Sequence, residues 1–376
     1  MAKKTKKLLK VNILVTIVTI IIFFTILEIV FRVTHIRVPR AEMATEWVLG
    51  DFDTYIGYVL KPNVSFTQEY SKNPDRVADK KHLGDIIFYN ISSQGLRDDT
   101  VPEVKEKARI ILLGDSWTYG AEVNKNHNID SNMENFLNGD YNIINLGTGG
   151  YNTFQEFRIL EKKGIMYKPD IVLTFFLIGN DEITNCYNLG NLPRPYYNGT
   201  DIVEPKPPDE GGKDEYLTIK GFEDKLEVYL DELYTYVIFK RRLAAILRKS
   251  VILPGIETQM EASELALLKI ENITTANNIT HLVVILVPGE MIIEGCKKYA
   301  DFETLHYRLK ESLEKNNIDY IDTHPYFISY PKPKTSLYFT SNYFMEPCEA
   351  YHPTPEGYEL IAKAVVSELR LKGVVK

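Results

Sequence analysis

Four short motifs, far apart in the chain, carry the residue types that acyl transfer through a serine requires. They are Gly114-Asp115-Ser116, the glycine-rich segment 145–150, Gly179-Asn180-Asp181 and the segment 349–353 around His352. Such a reaction needs a nucleophile, donors for the oxyanion, and a base with an orienting carboxylate. Each motif alone is weak evidence. Their order along the chain, and their positions after predicted strands, make the set specific.

Ser116 is the candidate nucleophile. It follows the apolar run 110–113, which places it at the carboxyl end of a predicted parallel strand, where open α/β sheets bind ligands. Gly114 permits a tight turn, and the N–H of Ser116 would point toward the oxygen of a bound ester. The neighbouring Asp115 is expected to contact the substrate.

Two further strand ends supply candidate oxyanion donors. Gly150 lies in the glycine-rich segment after strand 141–145, where the absence of a side chain lets a backbone N–H approach a ligand. Asn180 follows strand 171–176 and can donate through its side-chain amide. A dinucleotide fingerprint would need glycine at position 152, which is Asn152, and a Walker loop would need a following lysine. Nucleotide binding is therefore disfavoured.

His352 is the candidate general base. It stands in a proline-flanked loop before the last predicted helix, and Glu349, three residues earlier, can orient its ring. Glu346 is the alternative acid. A similar pair, Asp322 and His324, follows the last predicted strand and is the weaker candidate.

Two tyrosines adjoin the candidate site. Tyr151 and Tyr351 could stack on sugar rings, although aromatic side chains at strand ends are as often part of the core.

Strands and helices alternate from residue 109 onward, which indicates a parallel sheet buried on both faces. The predicted strands are 109–113, 141–145, 171–176, 281–287 and 319–322. The predicted helices are 129–137, 153–163, 222–249, 262–277, 302–316 and 355–371. All four motifs then fall at or beyond the ends of these elements.

With these residues in place, the sequence resembles the SGNH (GDSL-type) hydrolases over residues 109–371. Its four marker positions are Ser116, Gly150, Asn180 and His352. The chain has Glu349 where that family usually has aspartate, and it lacks the residue that commonly separates the glycine and asparagine of the third motif. The resemblance implies a flavodoxin-like three-layer α/β/α fold with about five parallel strands. It also implies an acyl-serine intermediate and no need for a metal or organic cofactor.

The amino-terminal part differs from the rest of the chain. Five lysines precede a mostly apolar run over residues 11–31, long enough to cross a bilayer. We expect an uncleaved signal anchor with a cytoplasmic tail (1–10) and everything after it extracytoplasmic. A stalk with an irregular layer (32–108) would follow, then the catalytic domain (109–376) with an insertion at about 187–258.

The net charge of the chain and its predicted location restrict the classes of function that fit the sequence. The net charge of −7 argues against nucleic acid as a partner. An anchored, outward-facing esterase that removes acyl groups, acetyl above all, from surface or exported carbohydrate is the leading hypothesis. An envelope O-acyltransferase, supplied with donor by a multi-span membrane partner, is the alternative. A non-catalytic glycan-binding protein is the third.

Overall fold

We describe a computed structural model of the 376-residue chain. It describes residues 12, 15–16, 18–20, 22–30, 50–69, 86–97, 100–188, 192–207, 254–293, 302–340 and 350–376. The predicted tail 1–10, the predicted helix 222–249 and the two candidate acids Glu346 and Glu349 lie outside these residues.

The chain divides into two compact units. One comprises Met1–Thr45 and Asp209–Ile252, and the other comprises Glu46–Pro208 and Leu253–Lys376. Residues 46–108, predicted as a stalk and an irregular layer, thus belong to the same unit as the predicted catalytic domain.

A five-stranded parallel sheet forms the centre of the larger unit. Its strands, in the order in which they lie side by side, are β11 (Tyr320–Asp322), β10 (Thr280–Leu286), β7 (Ile171–Leu177), β5 (Ala108–Leu113) and β6 (Tyr141–Asn145). Numbered along the chain, this is the order 2-1-3-4-5 of flavodoxin-like folds. The predicted architecture of the sheet is confirmed.

Helices cover both faces of this sheet. They are α1 (Ser116–Tyr119), α2 (Ile129–Phe136), α3 (Thr153–Lys162), α4 (Asp181–Cys186), α5 (Ile256–Ala276), α6 (Gly289–Ile292), α7 (Phe302–Lys315), α8 (His324–Ile328) and α9 (Pro355–Leu371). Successive residues of β5 enter different hydrophobic clusters: Ile110 packs with residues of α9, and Ile111 packs with residues of α3. Side chains alternate across a strand, so the sheet is the middle of three layers.

Short antiparallel ribbons lie outside the central sheet. They pair β1 (Gly50–Asp53) with β2 (Gly57–Leu60), β3 (Val64–Glu69) with β4 (Ile86–Ile91), β8 (Tyr196–Tyr197) with β9 (Ile202–Val203), and β12 (Tyr338–Thr340) with β13 (Ala350–Pro353). The amino-terminal layer predicted from the sequence contains these paired strands β1 to β4, and its alternating run 86–91 forms β4. Inward-facing residues of β4, such as Ile87 and Tyr89, pack into the main core and require a paired strand.

Most predicted elements agree with the observed ones to within one or two residues. Helix α5 begins at Ile256, six residues before its predicted start, because Gly255 in an extended conformation caps it directly. The short helix α8, which begins at His324, was not predicted.

The predicted membrane span is described in part. Residues 12, 15–16, 18–20 and 22–30 are helical, and several of their apolar side chains, Phe23 and Ile26 among them, are exposed. Within the described part of the chain, no helix combines the length and the apolar character needed to cross a membrane.

Candidate active site

Ser116 lies where the sequence predicts it, at the carboxyl end of β5. Asp115 is the N-cap of α1 and Ser116 is its first residue, so the serine N–H belongs to the helical turn that makes no intrahelical bond. A Cβ on Gly114 would lie 2.0 Å from Thr118 Oγ1, so the turn accepts only glycine there. Gly114 is therefore required for the tight turn that leads from β5 to Ser116.

The base predicted for this serine is in contact with it. His352 Nε2 lies 2.9 Å from Ser116 Oγ, across 236 residues of sequence. His352 is 7% exposed and sits in β13, whose ribbon with β12 fixes the backbone just before α9. The pair has the geometry of a serine nucleophile and its general base.

Glu122 provides a carboxylate on the other side of the imidazole. Its Oε2 lies 3.3 Å from His352 Nδ1, and its side chain is 20% exposed. Sequence reasoning missed this residue. Glu122 belongs to no motif, and a carboxylate six residues beyond the nucleophile was the only available signal.

The candidate glycine donor is held in a conformation that favours glycine. Gly150 has a φ of +76°, and a Cβ there would lie 2.9 Å from Tyr58 Oη and 3.2 Å from Leu192 Cδ1. The Tyr58 hydroxyl donates to the carbonyl of Gly149 at 2.8 Å. Strand β2 and the segment at Leu192 therefore enclose the loop that presents Gly150.

The candidate amide donor bonds to two carboxylates. Asn180 Nδ2 donates to Asp115 Oδ2 at 2.8 Å and to Asp181 Oδ1 at 3.2 Å. The other oxygen of Asp115 accepts the N–H of Trp117 at 2.9 Å. Asp115 is buried and both its oxygens are used within the protein, so the prediction that it contacts substrate was wrong. Its observed contacts position Asn180 and α1.

Buried carboxyl groups accompany Asp115. Burial raises the pKa of Asp115 to about 6 and that of Glu182 to about 7. Burial, reinforced by the negative charge of Asp115, also raises the pKa values of Glu156 and Asp181. These groups therefore hold protons more strongly than exposed carboxyls do.

Tyr151 does not face a ligand. Its side chain is 1% exposed, packs edge-on against Tyr58, and donates its hydroxyl to the Tyr58 carbonyl at 2.6 Å. The predicted stacking of Tyr151 on a sugar was therefore wrong, because the ring belongs to the core. The side chain of Tyr351 lies outside the described part of the structure.

The second histidine pair forms a separate cluster. Asp322 Oδ1 lies 3.1 Å from His306 Nε2, and Asp322 Oδ2 accepts from Lys310 at 3.0 Å. Burial would raise the pKa of Asp322, but the bonds from His306 and Lys310 outweigh it and hold the pKa at about 2. The His324 ring packs edge-to-face against His306, whereas His352 contacts Ser116.

Known proteins resemble this chain at the level of structure. No family model matches the sequence, and no curated protein matches it. A lipase/acylhydrolase from Enterococcus faecalis is 17% identical, with 72% of this chain and 97% of that chain covered and a TM-score of 0.40. A GDSL-like lipase from Bacteroides thetaiotaomicron is 12% identical, with 72% and 93% covered and a TM-score of 0.38. An acetyl xylan esterase, AlAXEase, is 14% identical, with 69% and 99% covered and a TM-score of 0.41.

The order of the central sheet is the one that the resemblance to the SGNH (GDSL-type) hydrolases implies, and the four marker residues stand where the sequence predicts them. Ser116 follows β5, Gly150 follows β6 and Asn180 follows β7, while His352 precedes α9.

Proposed function

We propose that this protein is a carboxylic ester hydrolase that works through an acyl-serine intermediate. The observation that carries the proposal is the 2.9 Å contact between Ser116 Oγ and His352 Nε2 at the ligand-binding end of a parallel sheet. An imidazole at this distance can take the hydroxyl proton as the oxygen attacks a carbonyl carbon.

The reaction would run in two halves. His352 accepts the proton from Ser116 as the serine oxygen bonds to the ester carbonyl, and the negative charge on the former carbonyl oxygen is met by the donors at Ser116 and Gly150. Asn180 joins them when its amide exchanges one of its carboxylate bonds, the longer one to Asp181, for the oxyanion. The protonated His352 then gives its proton to the departing alcohol, which leaves an acyl-serine. Water, deprotonated by His352, releases the acid and restores the serine.

Short acyl groups on carbohydrate, acetyl above all, are the proposed substrates. The carbohydrate part rests on the predicted extracytoplasmic location of the catalytic domain. Transfer to a sugar hydroxyl instead of water would use the same residues.

Membrane attachment through residues 11–31, with a cytoplasmic amino terminus, remains part of this proposal. The five lysines before the span and the exposed apolar side chains of its described residues support it. A donor-supplying multi-span partner would be needed only for the transferase function.

A substrate series tests the proposal. The full-length protein is given 4-nitrophenyl acetate, butyrate and octanoate, and then acetylated xylo-oligosaccharides with or without unacetylated sugar acceptors. We expect acetate to be released fastest from the shortest ester and from the sugars, in a Ser116-dependent manner. Hydrolysis of none of these esters by folded protein would contradict an esterase, and acetate moved mainly to sugar hydroxyls would favour the transferase.

A further inference from the structure

We propose that Glu122 is a positioning residue for the general base, and that its carboxylate holds the His352 ring with Nε2 toward Ser116. This inference rests on the proposed function, in which His352 is that base. Glu122 Oε2 lies 3.3 Å from Nδ1, and Ser116 Oγ lies 2.9 Å from Nε2. The two ring nitrogens therefore lie next to the two groups that a serine, histidine and acid relay requires, with the Glu122 contact an ion pair and not an aligned hydrogen bond.

The surroundings strengthen the interaction between Glu122 and His352. Their side chains are 20% and 8% exposed, respectively. Opposite charges at this distance attract more strongly when water is partly excluded than they do at a surface. The imidazolium that forms as Ser116 loses its proton would therefore be stabilised by the carboxylate.

The backbone of Glu122 is in a region that glutamate rarely occupies. Its φ is +64°, and four of the six described non-glycine residues with positive φ are asparagines. A non-glycine residue in this region is strained and persists where its surroundings over-determine it. Such strain is concentrated at functional sites, and here it aims a carboxylate at His352.

The loop that carries Glu122, residues 119–123, is held by a buried arginine. Arg97 is 2% exposed and donates to the carbonyls of Tyr119 (2.9 Å), Gly120 and Val123 (2.5 Å). Its guanidinium lies over the rings of Tyr89 and Tyr119, at 4.1 Å and 4.9 Å from their centroids. The loop is therefore fixed on both sides of Glu122.

Two tyrosine hydroxyls hold the remaining backbone groups near Glu122. Tyr89 Oη accepts the N–H of Glu122 at 3.0 Å, and Tyr358 Oη donates to the carbonyl of Ala121 at 3.2 Å. Tyr89 comes from β4 and Tyr358 from α9, so two distant parts of the chain meet at this loop. A side chain set this firmly is pre-organised, as positioning residues must be.

The test compares Glu122→Gln with Glu122→Asp, with Glu349→Gln, and with the exposed control Glu359→Gln. Glutamine keeps the size and backbone of glutamate and removes only the charge. We expect Glu122→Gln to lower kcat by on the order of 10²–10⁴-fold with KM little changed. Glu122→Asp should recover part of the loss, and Glu359→Gln should match the unaltered protein.

A second readout needs no substrate. The His352 ring is followed by NMR in histidine-labelled protein, with His352→Ala to assign its signal. The ring nitrogen signals should show the proton on Nδ1 in the unaltered protein and a larger share of the Nε2–H tautomer in Glu122→Gln, because a carboxylate beside Nδ1 favours a proton there. A tautomer ratio and a kcat that Glu122→Gln leaves unchanged, with Glu349→Gln changing both, would overturn the proposal. If no ester is hydrolysed at all, the proposed function fails, and the NMR tautomer ratio still decides the role of Glu122.

Discussion

Three of the four marker residues are partly accessible, although they stand among buried neighbours. Ser116 is half-buried between the buried Asp115 and Trp117, and Gly150 and Asn180 are half-buried as well. His352 is buried, with its Nε2 directed at Ser116. The nucleophile and the candidate oxyanion donors are thus partly open to a ligand, while Asp115, Trp117 and His352 are buried around them.

Replacement of Gly150 by alanine should remove activity at a modest cost in stability. The matched control is Gly139→Ala, because Gly139 also has positive φ (+69°) but a Cβ there would meet nothing within 4 Å. Both variants should lose about 1–2 kcal/mol from backbone strain. Only Gly150→Ala should lose on the order of 10²–10³-fold in kcat, through its contacts with Tyr58 and Leu192 and a displaced oxyanion donor. Equal kcat values in the two variants would show that Gly150 is conformational only.

Glu182 should make the protein less stable as the pH rises from about 5 to 7.5. Burial raises its pKa from an ordinary value of 4.5 to about 7, so in this range the unfolded chain has released the proton while the folded one keeps it. Glu182→Gln can still accept the N–H of Gly179 and should reduce this loss by on the order of 1–3 kcal/mol. Denaturant unfolding at both pH values measures it, with the exposed Glu106→Gln as control. A pH dependence that is the same in both variants would contradict the assignment.

Residue types predicted the reacting pair but not every side chain around it. Ser116 and His352 stand in recognisable motifs, and the structure joins them. The contact of Glu122 with His352 depends on a backbone conformation that only tertiary contacts stabilise. No local sequence pattern therefore predicts it. Tyr151 shows the opposite error: an aromatic residue beside a site motif belongs to the core.

At the level of elements, hydrogen bonds connect the loops that follow the neighbouring strands β5 and β6. Thr148 N–H donates to the Gly114 carbonyl at 3.1 Å, and Asn145 Nδ2 donates to the Thr118 carbonyl at 2.7 Å. The loops after β5 and β6 therefore cannot move independently, and the distance between Ser116 and the glycine-rich loop is fixed by backbone contacts.

A comparison of two buried arginines can distinguish a residue that supports the active site from one that supports only the fold. Arg97 holds the loop 119–123, whereas Arg109 binds carbonyls of Pro102, Val104 and Tyr167 at the amino end of β5. Both Arg97→Ala and Arg109→Ala should destabilise the protein by about 2–4 kcal/mol, since each leaves buried carbonyls without a donor. Only Arg97→Ala should also lower kcat in the folded protein, at least 10-fold. Similar kcat values at a temperature where both variants are folded would refute a role of Arg97 at the site.

Alternating apolar strands and helices were sufficient to predict the central sheet. The strands β5, β7 and β10 are buried almost throughout, which gives continuous apolar runs that are easy to recognise. The run 86–91 alternates as β4 does, but the pairing of β1 to β4 was not predicted, because these strands are short and half-exposed and their partners are set by the core they cover. The start of α5 was missed because proline and glycine at positions 254 and 255 are typical of a loop. The helix begins directly after them.

For the whole molecule, the candidate active-site residues all lie in one compact unit. Ser116, Glu122, Gly150, Asn180 and His352 belong to Glu46–Pro208 and Leu253–Lys376. Removal of residues 1–45 should therefore leave kcat on a soluble ester unchanged within about 2-fold, while it abolishes the proposed membrane attachment. Sedimentation with membranes and ester hydrolysis by the two forms measure both effects. A truncated, folded protein without activity would show that the amino-terminal segment takes part in the site.

The central claim is that Ser116 is a nucleophile activated by His352, and fluorophosphonate labelling of the full-length protein tests it most directly. The unaltered protein is compared with Ser116→Ala, His352→Ala and, as the matched control, His324→Ala, and the modified residue is located by mass spectrometry. We predict labelling at Ser116 in the unaltered protein and in His324→Ala, and none in Ser116→Ala or His352→Ala. Folded protein that takes up no label, or label that persists in Ser116→Ala, would contradict the account.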